Sequence, residues 1–532
     1  MKKTTKILAL LLAVVLAFGC TACGKTESAP AAEAAPAAEP VNALEKAEAP
    51  APEVPAEASY ADEVIIGIGG DVSNLNPIQD TSLIESQMLY YCTHQTLVYY
   101  DPLTHDFAPD VAESWELSDD GLTWTFKLYQ GIKFHNGDEL KASDVKFSLE
   151  RAIGSSTQKS RVSFITAVDV IDDYTIAITM NAKFADAFYN LAQPNIAIVS
   201  EKAVTELGDD GEAVGSGPYY VTDYAPGDHI KLERFEDYIG ELPPTKHLTF
   251  KIITEDAARV IALQAGDIDI CFSPAYVDQQ FILDDPNLTL VTRNGVVTQF
   301  LAMNTQIEPF NNQKVRQAIA YAVNKEDCIK VAFGDTAYVA TGVMPDDVPL
   351  CTKIDGIPYD VETAKALLAE AGYADGFEME MTCFQDVQEK MAQVIQENLK
   401  EIGITVNIVR VELNAQTDAI INGNFESVLR FFSNGSGPSS SFDLPFAAGS
   451  ASNSSKVNDT WLDEQMAIAG AENDTEVRKE LYKTLNEYII DQGYWVPLAI
   501  PNVYVGIQKD VDGISYGANT RHDFSYCYKL EG

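Results

Sequence analysis

The chain has 532 residues, 46% of them hydrophobic, and a formal charge of -42 from 79 acidic against 37 basic side chains. That acidic excess argues against a nucleic-acid surface, because phosphates would be repelled. The apolar content is enough for a large core and argues against global disorder, and the length allows three or four domain-sized units.

Lys2, Lys3 and Lys6 precede an apolar run from Ile7 to Gly19. That run is too short to span about 30 Å of hydrocarbon at about 1.5 Å per residue. A basic start, a short apolar run and small residues describe an export signal. Its end, Leu16-Ala17-Phe18-Gly19-Cys20, resembles the bacterial lipobox, in which the cysteine is acylated and becomes the first residue of a tethered lipoprotein. Cys20 fits that pattern best, and Cys23-Gly24 is the alternative start. The resemblance implies residues 1–19 as a lipoprotein signal and a protein lipid-anchored at the outer face of the bacterial cytoplasmic membrane. Residues 20–60, dominated by Ala, Pro and Glu, cannot bury apolar area and read as an extended tether.

A strand is expected at Val64–Ile68. Further strands are expected at Leu122–Leu128, after the turn dipeptide Asp120-Gly121, and at Tyr174–Met180. Ser143 to Arg151 reads as a helix with Ser143 as its N-cap. The second half is more helical. Apolar residues recur at helical spacing over Asn312–Ala322, Val361–Ala371 and Glu389–Ile402, the last two stopped by Gly372 and Gly403. A strand follows at Ile404–Val409, giving the helix, glycine, strand order of an α/β crossover. The six cysteines beyond the signal are scattered and read as core thiols, with room for one long-range disulfide.

Six histidines include no H-E-x-x-H motif or i,i+4 pair for zinc. Gly215-Ser216-Gly217-Pro218 is a turn rather than a nucleophile elbow, and Gly67-Ile68-Gly69-Gly70 lacks the third glycine of a dinucleotide loop. No catalytic residue, metal site or cofactor is expected, and the chain does not read as an enzyme.

Ordered motifs now accumulate: Leu75-Asn76-Pro77, Leu97-Val98-Tyr99-Tyr100-Asp101, Pro109-Asp110-Val111-Ala112-Glu113-Ser114-Trp115, Gly131-Ile132-Lys133-Phe134-His135-Asn136-Gly137, Gly215-Ser216-Gly217-Pro218-Tyr219, Ala265-Gly266-Asp267-Ile268-Asp269 and Val315-Arg316-Gln317-Ala318-Ile319-Ala320. Together they resemble the family 5 extracellular solute-binding proteins of peptide, nickel and oligosaccharide ABC importers, from about residue 62 to about 530. The resemblance implies an α/β, two-lobed periplasmic-binding-protein-like fold with an extra β-rich domain. Lobe I would comprise 61–101, 214–303 and 503–532, the extra domain 102–213, and lobe III 304–502. The lobes would cross near Met303-Asn304 and Asn502-Val503, close on a solute, and dock on an ABC permease served by its ATPase. Trp115, Trp124 and His135 would pack the extra domain's sheet.

Two segments of the resemblance bear on cargo. The first is the loop holding Asp71 and Ser73, before Asn76. Asp71 takes a place that faces cargo in relatives, or else is an exposed loop carboxylate. The second is Arg430-Phe431-Phe432-Ser433-Asn434. Asn434 falls where peptide binders carry an aspartate for the peptide α-ammonium, and Gly437 falls at a second acidic position. Arg430 would grip a carboxylate or form a structural salt bridge. One of Phe431 and Phe432 would stack on cargo while the other faces the core. The expected cargo is a peptide or peptide-like solute. An oligosaccharide or other non-peptide solute, or a surface sensor without a transporter, is the alternative. An amide returns less of an ammonium's desolvation cost than a carboxylate would, so Asn434 weakens the simplest peptide reading.

Overall fold

The computed structural model describes residues 59–531 apart from 73, 80–83, 103, 335, 435–436 and 518–521. The signal, Cys20, Cys23, nearly all of the tether and Ser73 therefore lie outside the described residues.

Strand Glu63–Ile68 forms where the alternating chain Val64, Ile66, Ile68 can bury one face completely. It lies inside a seven-stranded sheet. The order is Leu288–Arg293, Val503–Gln508, Ile270–Phe272, Glu63–Ile68, His247–Ile252, His229–Arg234 and Tyr219–Ala225. Its two central neighbours run parallel to it. Val64, Ile66 and Ile68 pack with Phe250 and Val505, whereas Ile65 leans on a second cluster built from Val260, Leu263 and Ile282.

A six-stranded sheet has the order Ala337–Val339, Trp495–Pro501, Val297–Met303, Ser427–Ser433, Glu378–Cys383 and Thr405–Arg410. The last three are mutually parallel, joined in part through helix Asp386–Lys400. Leu301, Met303 and Leu429 bury one face of this sheet; Phe300, Ala302 and Val428 bury the other. The third large sheet is antiparallel, in the order Ala112–Leu117, Thr123–Leu128, Thr175–Met180 and Ile165–Asp172, with helix Ala142–Gly154 against it. Among the described residues no helix is long and apolar enough to cross a membrane.

Several local expectations need correcting. Strand Val297–Met303 does not belong with the seven-stranded sheet; it pairs with Ser427–Ser433 and Trp495–Pro501. The crossing therefore lies between Arg293 and Val297, not at Met303-Asn304. A strand this apolar is stable only with a neighbour on each side and a core on each face. Asn304 ends the strand, its Oδ1 accepting from the Gln306 amide at 3.1 Å. Gly295 marks the crossing, because a Cβ there would sit 2.2 Å from the Pro501 carbonyl oxygen. The other crossing falls between strands Trp495–Pro501 and Val503–Gln508. Helix Ala142–Gly154 is capped at Lys141, whose amide donates to Asp144 Oδ2 at 2.9 Å, rather than at Ser143. Trp115 and Trp124 pack on Phe126 and Phe188 at the edge of the antiparallel sheet's core, but His135 does not join them. Its ring lies against Tyr220 and Phe235, and its Nε2 is 3.0 Å from the Gly217 carbonyl oxygen.

Candidate functional site

Strand Val98–Tyr100 turns back on Phe107–Pro109, and the intervening turn holds His105 in a left-handed backbone conformation. Tyr100 Oη and His105 Nδ1 lie 2.7 Å apart, and the Tyr100 ring packs on Tyr189 of the short helix Ala187–Leu191. These rings form one wall of a cavity holding about 720 Å³ of empty space, its open mouth included. The opposite wall is Val296 at the crossing, Asp347 to Pro349, and Asn434 with Gly437, from the loop after strand Ser427–Ser433. Tyr91, Tyr99 and Asp523 close the rest. All three sheet-bearing parts of the molecule thus contribute.

Two buried acceptor atoms of this cavity have no hydrogen-bond partner. Asn434 is 2% exposed; its Nδ2 donates to the Val296 carbonyl at 3.0 Å and to Thr298 Oγ1 at 3.3 Å. Its Oδ1 is buried without a hydrogen-bond partner. Asp347 Oδ2 is likewise buried and unpartnered. Asp523 Oδ1 accepts from the Ser525 amide at 2.8 Å and from Ser525 Oγ at 2.5 Å, and burial pushes its carboxyl up from the usual range. Burial also raises the Tyr99, Tyr100 and Tyr189 phenols, so all three stay neutral donors and π faces. Among the described residues no Lys or Arg lines the cavity.

Of the residues singled out in the sequence, Asn434 and Gly437 line this cavity. Asp71 is tied to a hairpin: its Oδ2 accepts from the Gly227 amide at 2.7 Å and its Oδ1 from Tyr224 Oη at 3.2 Å. Asn76 caps a turn, Oδ1 accepting from the Ile78 amide at 3.0 Å. Arg430 is half-buried, with both Nη atoms 3.4 Å from Thr417 Oγ1. It forms no salt bridge to a described carboxylate, and burial lowers its pKa. Phe432 packs toward Trp495, while Phe431, 38% exposed, meets Phe384 at 6.0 Å. Gly69, just before Asp71, borders a separate opening with Glu85 and Arg259. Asp347 and Asp523 escaped the sequence reading, because single aspartates in an acidic chain carry no pattern. Tyr99 and Tyr100 stood inside a quoted motif without a role.

The Asn434 loop is fixed from behind. Asp186 accepts from the Ser439 amide at 2.7 Å and is ion-paired with Arg478, and all three residues are buried. Arg478 Nη2 also donates to Tyr482 Oη at 2.9 Å and to Ser439 Oγ at 3.2 Å. A Cβ on Gly437, whose φ is +102°, would meet Asp186 Oδ2 at 3.0 Å.

A family model for bacterial extracellular solute-binding proteins, family 5 Middle, matches residues 106–454. The glutathione-binding protein GsiB of Salmonella paratyphi A is 30% identical over an alignment of 486 positions that covers 88% of this chain and 94% of that protein. HbpA2 from Haemophilus parasuis superposes with a TM-score of 0.80 at 25% identity, covering 88% of this chain and 99% of that one. The periplasmic binding protein DppA from Helicobacter pylori, in complex with the peptide STSA, superposes with a TM-score of 0.73 at 26% identity, covering 89% and 99%.

Proposed function

Because the chain belongs to the bacterial extracellular solute-binding proteins of family 5, we propose that it is the substrate receptor of one ABC importer and that its cargo is a peptide or peptide-like solute. The observation that carries this reading is the cavity at the junction of three parts, with Asn434 in its wall. The seven-stranded and six-stranded sheets serve as the two lobes and the antiparallel sheet as the extra domain. Two chain crossings beside Gly295 and Asn502 give a narrow hinge, and a solute that contacts both lobes favours the closed form by its differential affinity. Excluding water strengthens each polar contact with the cargo. The closed form then docks on the permease, whose ATPase drives release. No chemistry is performed on the solute.

The peptide reading draws support from GsiB, a glutathione-binding protein, and from DppA, which holds a tetrapeptide. Native mass spectrometry of the purified protein, followed by denaturation to release co-purified cargo, tests it. A ladder of peptide masses is the expected result; a single non-peptide mass overturns it. The anchor is Cys20, the tether holding the body off the lipid. Cys20→Ala is expected to move the protein from the membrane to the soluble fraction on cell fractionation, and retention with lipid attached would transfer the role to Cys23.

A further inference from the structure

We infer that Asn294-Gly295, in one of the two chain crossings between the sheets, is a site of spontaneous covalent modification, where the asparagine loses ammonia and rearranges to isoaspartate. Asparagine is a thermolabile side chain, and a following glycine favours the reaction because no Cβ shields its nitrogen. The chain has four Asn-Gly pairs, at Asn136, Asn294, Asn422 and Asn434. The reaction joins the glycine nitrogen to the asparagine Cγ, so both must be free to meet. At Asn136 both are engaged. Its Nδ2 donates to Asp138 Oδ2 at 2.9 Å, its Oδ1 accepts from the Asp138 amide at 3.0 Å, and the Gly137 amide donates to the Phe134 carbonyl at 2.8 Å. Asn422 closes a helix, with its Nδ2 on the Asp418 carbonyl at 2.8 Å and the Gly423 amide on the Ile420 carbonyl at 3.1 Å. Asn434 is buried with its Nδ2 on Val296 and Thr298. Asn294 is different. It is exposed, it lies outside helix and strand, and neither its carboxamide nor the Gly295 amide donates a hydrogen bond to a described residue. Attack is intramolecular, so the buried Gly295 nitrogen needs no access of its own; ammonia leaves and water arrives at Asn294.

The atoms balance with water as the only co-reactant. The Gly295 nitrogen gives up its proton and bonds to Asn294 Cγ, the Cγ–Nδ2 bond breaks, and ammonia leaves a cyclic imide. Water then breaks one of the two ring C–N bonds. Breaking the new bond yields aspartate; breaking the original peptide bond yields isoaspartate, whose backbone runs through Cβ and Cγ and is one carbon longer. That carbon falls where the chain is held on several sides. Tyr338 Oη donates to the Gly295 carbonyl at 3.3 Å, and a Cβ on Gly295 would sit 2.2 Å from the Pro501 carbonyl oxygen. The next residue, Val296, accepts from the Asn434 amide at 3.0 Å and lines the cavity. Conversion therefore alters a crossing and a cavity wall together, whatever solute the cavity holds.

Ageing of the purified protein at mildly alkaline pH, both folded and in urea, tests this, with peptide mapping after digestion at low pH. In the folded protein the Asn294 peptide is expected to convert at least about tenfold faster than those holding Asn136, Asn422 and Asn434, whose hydrogen bonds must open first. In urea the four rates should converge. Methyl transfer by an isoaspartate methyltransferase should label the aged protein, and Asn294→Gln should lose most of that label. The isoaspartate fraction, separated by chromatography, is expected to melt below the unaged protein. Asn294→Asp, which adds the charge without the extra carbon, should melt with the unaged protein. Conversion at any of the other three pairs as fast as at Asn294 in the folded protein overturns the inference, as does an unreactive Asn294 in a fold whose unfolded chain converts. An isoaspartate fraction that melts with Asn294→Asp overturns the lengthened crossing.

Discussion

The two ends of one loop treat buried acid differently. At Ser439 the Asp186 carboxylate faces a guanidinium and an amide N–H, and the guanidinium is itself shared with Tyr482 and Ser439. At Asn434, a few residues earlier, the acceptors of Asn434 and Asp347 are buried and have no partner. A buried charge with a complete set of partners fixes one arrangement of the chain. A buried acceptor without one costs free energy in the empty protein and is stabilised only when a donor arrives. The closed network holds the loop, and the open one is where selectivity can reside.

The largest expected effect comes from breaking the closed end. Arg478→Met leaves Asp186 buried with its charge uncompensated and is expected to cost about 3–5 kcal/mol in urea denaturation. Adding Asp186→Leu should recover a good part of that loss. At the open end, Asn434→Asp should destabilise by about 1–3 kcal/mol, because a carboxylate oxygen would replace the side-chain donor facing the Val296 carbonyl, which keeps only the backbone amide of residue 434. Any gain in affinity for an amine, measured by titration, has to be read against that cost. If stability is unchanged instead, the amide orientation argued above is wrong.

The smallest effect sharpens the comparison through pH. Asp443, behind the closed end, is pushed up to about 7, first by burial and then by the neighbouring Asp186 carboxylate. Its folded pKa lies above its unfolded value near 3.8, so the native state binds the proton more tightly. Its stabilising contribution is complete below about pH 4 and is lost as pH rises through about 7. Asp443→Asn should therefore reduce the loss of stability between pH 5 and pH 8 by about 1–3 kcal/mol. Denaturation curves at the two pH values measure it, and an unchanged difference would remove Asp443 from the account.

Much of the frame was legible. Alternation in Val64–Ile68 and in Leu122–Leu128 marks strands observed at Glu63–Ile68 and Thr123–Leu128. Asn312 caps its helix as a short polar side chain should, Oδ1 accepting from the Lys314 amide at 3.0 Å. The ordered motifs identified the family. What misled was the resemblance: it implied a lobe crossing near Met303-Asn304, where Asn304 only ends a strand, and it put His135 in a core that this side chain leaves.

The site was far less legible. The resemblance picked out Asn434, but it could not reveal that the amide hydrogens are already engaged or that Asp347 and Asp523 line the same cavity. Sequence by itself determined the period of most elements and the order of the motifs, because those depend on neighbours along the chain. Which acid loses its water and finds no partner was decided only by tertiary structure. Burial and pairing depend on what distant segments bring to the same place, and no spacing along the chain encodes that.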